Sequence, residues 1–195
     1  MSTATSTPRA GSPTRPLPSA LATPAAVVGA ALVLAGDAYH LFVLDDRPAQ
    51  ADTAAYAAHG VGLMAGLLLL VLAALSVARA GRLSAVGLPL LMIGSALVVG
   101  DIWAETVVLP GVVTGSASEL LGDDIGGTHL AFVVGAYAMF AIGWVLFALA
   151  MRGTVGVVAW LLVVGGVIAF LPVGGSYVVL AVGAALVVAR TTARS

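Results

Sequence analysis

Six ionisable side chains interrupt otherwise apolar runs: Asp37, His40, His59, Asp101, Glu105 and His129. Asp37 and His40 form a D-x-x-H and share one face of a helix. Asp101 and Glu105 are one turn apart and share a face in the same way. Carboxylates and imidazoles suit zinc, iron, manganese or copper. Two histidines on facing helices can hold a b-type haem. A His–Asp pair can move protons, in acid–base catalysis or in proton-coupled transport. On the metal reading all six residues are ligands. Asp37, Asp101 and Glu105 are then the catalytic acids, and His40, His59 and His129 hold the cofactor. Di-iron bundles carry E-x-x-H on two helices. Here one such pair occurs, as D-x-x-H, so that match is poor. Trp103, between the acids of DIWAE, is a candidate pocket wall.

Each residue also has a plainer use. A single histidine near the end of a membrane helix usually sits at headgroup level, which fits His59 and His129. Asp45, Asp46, Asp52, Asp123 and Asp124 read as solvated loop charges. Asp37, Asp101 and Glu105 are harder to dismiss. An ionised carboxylate facing lipid costs at least about 2.5 kcal/mol. Such a group faces the bundle, meets a partner or stays protonated.

The elements that position these groups follow from composition. The chain has 195 residues, of which 61% are hydrophobic and 9% charged. Its mean hydropathy is +1.11. Soluble domains are about one-quarter charged, so the expected class is an all-α polytopic membrane protein with the lipid bilayer as partner. A net charge of −1 gives no footprint for nucleic acid. The absence of cysteine excludes disulfides, thiolate metal sites and thiol nucleophiles. Every basic residue is arginine. With so much Ala, Val, Gly and Leu, this points to a high-GC bacterial genome such as an actinobacterium's.

Residues 1–23 are rich in Ser, Thr and Pro and read as a disordered tail. The following run is long enough to span and has further spans after it, which argues against a cleaved signal peptide. Six transmembrane helices are expected over 24–190: 24–44, about 53–79, about 83–109, about 127–151, 154–171 and about 174–190. Pro110 and Pro172 serve as stops and Pro89 as a kink. Gly126-Gly127 reads as a loop before the fourth helix. Ser116 and Glu119 have capping-box spacing in the longest link. Residues 191–195 form a short tail.

Alternating spans put Arg9, Arg15, Arg79, Arg82, Arg152, Arg190 and Arg194 on one side, with Arg47 on the other. The positive-inside rule makes the first side cytoplasmic and both termini internal, at the cell membrane. All nine acids then lie in or near the outer half. Asp37 and Asp101 sit at roughly 10 and 12 Å depth by the helical rise. An outward-opening pocket on the first four helices accounts for all six titratable groups. Gly62 and Gly66 form G-x-x-x-G, suited to packing within the bundle or to a homo-oligomer contact. Trp144 and Trp160 read as belt or packing residues. No Walker motif, G-x-S-x-G or H-E-x-x-H is present, and the two halves show no internal repeat.

The runs AAYAAHGVGLMAGLLLLVLAALSVARAGR and LVVGDIWAETVV resemble a loose class of uncharacterised actinobacterial multi-helix membrane proteins. The resemblance covers about residues 25–150. His40, His59, Asp101, Trp103 and Glu105 are the matching positions. It implies the multi-helix fold and brings no activity with it. The leading expectation is therefore a metal- or haem-binding membrane protein for redox or lipid-modifying chemistry. A small proton-coupled permease is the first alternative. A structural or partner subunit, whose polar network serves packing alone, is the second.

Overall fold

The computed structural model describes residues 19–42, 54–108, 123–171 and 175–194. They form α1 (Ser19–Phe42), α2 (Ala54–Val77), α3 (Arg82–Trp103), a π-helical segment (Ala104–Val108), α4 (Asp123–Val155), α5 (Val158–Ile168) and α6 (Val178–Thr192). The described residues are all-helical, as expected. Four helical stretches are long and apolar enough to cross a membrane: Ala20–Phe42, Ala54–Val77, Arg82–Val107 and Leu130–Val155. A continuous helix satisfies its backbone groups internally, which hydrocarbon surroundings demand.

The last two helices are shorter than expected, with 11 and 15 residues. At 1.5 Å per residue they measure about 16 and 22 Å, against ~30 Å for a hydrocarbon core. The loss at α5 has a local cause. Thr154 and Val155 continue α4, which reaches 33 residues. Gly156 then turns the chain at φ 64°, a backbone state that glycine adopts without strain. At its other end α4 takes in Gly126 and Gly127, expected as loop. Helix α1 begins at Ser19, inside the expected tail, and runs through Pro24. The proline lies near the helix start, where it removes one backbone bond. Helix α6 continues two residues into the expected C-terminal tail. Residues 1–18, the loop acids Asp45, Asp46 and Asp52, and the Ser116–Glu119 turn lie outside the described residues.

Consecutive helices pack side by side, and α6 closes the ring against α1 while also touching α2 and α4. Residue pairings show that α1 and α2, α3 and α4, and α5 and α6 are antiparallel. Glycines set each crossing. A methyl group on Gly29 would lie 2.8 Å from the Gly66 carbonyl oxygen, and one on Gly66 would lie 2.8 Å from that of Gly29. On α4, Gly143 lies against the backbone of Leu91, and Gly94 of α3 lies against that of Phe140. In the last hairpin Gly165 meets Leu180 and Gly183 meets Leu162. Small residues permit such approach where no hydrophobic drive separates helix from lipid. Gly66 is thus engaged with α1, while Gly62 faces open space.

The interior is filled by Leu67, Leu70, Leu91, Phe140, Trp144, Phe147, Leu162 and Leu180, all fully buried. Phe140, Trp144 and Phe147 make successive edge-to-face contacts along α4. Outward, residues such as Val28, Leu68, Met92, Ile142 and Val164 are exposed. An apolar exterior of this extent suits lipid.

The two ends of the bundle differ. One carries Arg79, Arg82, Arg152, Arg190 and Arg194. There the Arg190 guanidinium donates to the Val155 carbonyl at 3.4 Å, and Arg194 donates to the Thr154 carbonyl. Both contacts satisfy carbonyls at the α4 C-terminus, where the helix dipole favours cations. Thr23 and Thr192 join α1 to α6 through a 2.6 Å hydroxyl–hydroxyl bond. Arg152 lies 5.5 Å from the ring centre of Trp160. The other end carries the acids and histidines.

Candidate functional site

The structure describes the side chains of five of the six sequence candidates: Asp37, His40, His59, Asp101 and Glu105. The described ones divide into two neighbouring groups, and tyrosines complete both.

The first group starts from Asp37, 2% exposed. Its Oδ2 accepts a 2.9 Å bond from the backbone N–H of Tyr177. The N–H groups of Gly175 and Val178 also reach this carboxylate. These donors lie in the turn that leads into α6, where the N–H groups at a helix start lack a full set of intrahelical acceptors. The Val178 N–H also donates to the Gly175 carbonyl at 3.3 Å. Asp37 therefore acts as an N-cap supplied from another helix. The turn passes through Gly175 at φ 84°. Five residues of α1 follow Asp37, the last being Phe42, so α6 starts about 7–8 Å short of the end of α1.

Behind the cap stands a tyrosine pair. Tyr177 is buried, and its ring meets Phe140 edge to face at 6.2 Å. Its hydroxyl lies beside that of Tyr137 on α4. The two interact without completing a hydrogen bond of standard geometry. The Tyr137 hydroxyl in turn donates to Asp101 of α3, itself 4% exposed. Glu105 acts on Tyr137 from the π-helical segment. The order Asp37, Tyr177, Tyr137, Asp101 thus crosses α1, α6, α4 and α3. The described arginines all lie at the opposite end, so no described guanidinium joins this chain.

The second group surrounds His59. Its Nδ1 lies 3.0 Å from the Tyr56 carbonyl oxygen. A carbonyl only accepts, so Nδ1 carries a proton. Tyr39 stacks on the ring at 4.9 Å. His40 meets it edge to face at 4.4 Å, and Tyr56 lies tilted at 5.4 Å. The π-helical segment rests against this end of α2, where Thr106 occupies the space that a Gly60 side chain would take. π-Helical turns recur at functional sites.

The remaining candidates fall elsewhere. His129 lies in the first turns of α4, and its side chain is outside the described residues. Trp103 is 50% exposed. Two residues past Asp101 it lies about 200° around the helix, on the outer face. It does not line the buried chain.

Among the described residues no three His, Asp or Glu side chains converge on a point that could hold a metal ion. Nor do His40 and His59 fit a haem, because their touching rings leave no gap for a porphyrin. What the arrangement can do is hold and relay protons, since carboxyl and hydroxyl groups both give and accept them.

Tyr137 and Tyr177 were not legible as site residues, because an isolated tyrosine in an apolar run resembles an interfacial anchor. The available signal was Asp101 and Asp37 themselves, since a buried carboxylate needs donors and a tyrosine hydroxyl is one. Comparison with protein-family models, curated proteins and solved structures gives no match.

Proposed function

We propose that this chain is a multi-pass protein of the cell membrane with both termini cytoplasmic. On this reading its Asp37–Tyr177–Tyr137–Asp101 chain is the proton-handling element of a small proton-coupled permease. The observation that carries the reading is the pair of carboxylates, 2% and 4% exposed, with Asp101 reached by the Tyr137–Tyr177 hydroxyls and Asp37 holding the Tyr177 backbone N–H. Intramembrane acids of this kind mark proton relays and transport pathways. Proton movement is balanced along the chain. Tyr137 gives its proton to Asp101 and takes one from Tyr177, which is replenished from the solvent side. The arginine end supplies the orientation, since a cluster of arginines favours the cytoplasmic face.

Infrared difference spectra between acid and neutral pH test the proton site. Wild type should show a carboxylic-acid band that disappears in Asp101→Asn and shifts in Tyr137→Phe. In vesicles with an imposed pH gradient, Asp101→Asn should slow proton entry by about 10²-fold, the low end for losing a positioned proton-transfer group. Spectra and flux unchanged by Asp101→Asn would remove the proposal.

Orientation has its own test, made simple by the lack of native cysteine. Ser116→Cys should react with an impermeant maleimide in intact cells. Val157→Cys, at a position 76% exposed at the arginine end, should react only after lysis. The reverse pattern would invert the topology.

A further inference from the structure

The two ends of α6 are held by different chemistry. Gly165 and Gly183 bring α5 and α6 into backbone contact. The link from α4 turns at Gly156, at the arginine end. At that same end α6 is pinned by Arg190 to Val155, Arg194 to Thr154 and Thr192 to Thr23. Each of these pins runs from a guanidinium or hydroxyl to a carbonyl or hydroxyl oxygen, and none uses a carboxylate. The opposite tip is held differently. There a carboxylate from α1 grips the N–H of Tyr177, alongside the weaker Tyr177–Tyr137 contact. A protonated carboxyl is a poorer acceptor and loses its attraction to the helix N-terminus.

We propose that Asp37 is a proton-operated latch. When Asp37 is ionised it clamps the α6 N-terminus. When it is protonated, the α6 N-terminus is released and the buried acid–tyrosine chain opens to the medium. This rests on the proton-handling reading and assigns its conformational step. The titratable groups facing Asp37 are Tyr177, Tyr137 on α4, and Asp101 and Glu105 from α3 and the π-helical segment. Tyr39 and His40 lie just beyond it on α1, with His59 on α2 against them.

The test uses the full-length chain in lipid vesicles with a single cysteine at Ser176, a buried position beside the latch. Its maleimide reactivity is divided by that of Val157→Cys, which removes the effect of thiol ionisation. From roughly pH 8 to roughly pH 5 the ratio should rise, by at most about tenfold per pH unit, the limit for one linked proton. In Asp37→Asn, which keeps an acceptor oxygen and cannot titrate, the ratio should be flat. A flat wild-type ratio overturns the latch. So does a rise that persists in Asp37→Asn, which would transfer the effect to the histidines. The two proposals separate cleanly. A flat ratio with an Asp101 carboxyl band intact removes the latch alone. A rise lost only in Asp37→Asn upholds the latch even where Asp101→Asn leaves proton entry unchanged.

Discussion

Gly143→Leu is expected to lose the native bundle altogether. The position lies on α4 where the helix passes the backbone of Leu91 on α3. A side chain there meets main-chain atoms, which cannot swing aside as a side-chain tip can. Overpacking costs about 1–3 kcal/mol where neighbours can yield. Here the two helices must separate, and the fully buried Phe140, Trp144 and Phe147 lose contacts with them. A destabilisation of at least about 3 kcal/mol follows from that combined loss. It should appear as failure to recover monodisperse protein in detergent, or as a large drop in the thermal transition. Gly62→Leu is the control. It faces open space on α2, and a surface change of this kind should stay within about 0.5 kcal/mol. Equal behaviour of the two variants would show that α3 and α4 do not cross as described.

Asp37→Ala carries the second large effect. It removes the acceptor from the first turn of α6 and leaves buried N–H groups without a partner. Losing an N-cap costs about 1 kcal/mol in water. A buried unsatisfied donor adds about 1–3 kcal/mol, so the expected loss is roughly 2–4 kcal/mol. Asp37→Asn should lose less than half of that, because its amide oxygen still accepts. The readout is the unfolding midpoint of the purified variants in one detergent. If alanine and asparagine destabilise equally, the carboxylate is not capping α6. If neither destabilises, α6 does not depend on α1 for its start.

These two experiments probe parts of the molecule that differed in how openly the sequence displayed them. The long apolar runs announced α1 to α4, because nothing but a helix satisfies so many backbone groups without water. The same runs hid where α4 gives way to α5. Arg152-Gly153-Thr154 looks like a polar turn, yet the helix passes through it and breaks at Gly156, where a positive φ is adopted. Backbone sign is not written in hydropathy. The acids were recognisable by their cost, and Asp37 and Asp101 do face inward. Their partners were not, since Tyr137 and Tyr177 are 40 residues apart in sequence and meet only through the packing of α4 on the last hairpin. Of the histidines, His40 and His59 do come together, ring edge to ring face at 4.4 Å.

The shortness of α5 has a consequence for the surrounding lipid. With 11 residues it is about half as tall as the hydrocarbon layer beside it. With the chain embedded as proposed, acyl chains along that flank compress to meet it, while those along α4 need not. The bilayer then stores elastic strain beside the short helices. That strain falls on α5 and α6. Membrane thickness becomes a mechanical load on the same element that the Asp37 carboxylate holds shut, so bilayers of different chain length would set the resting tension of that element without any change in the protein.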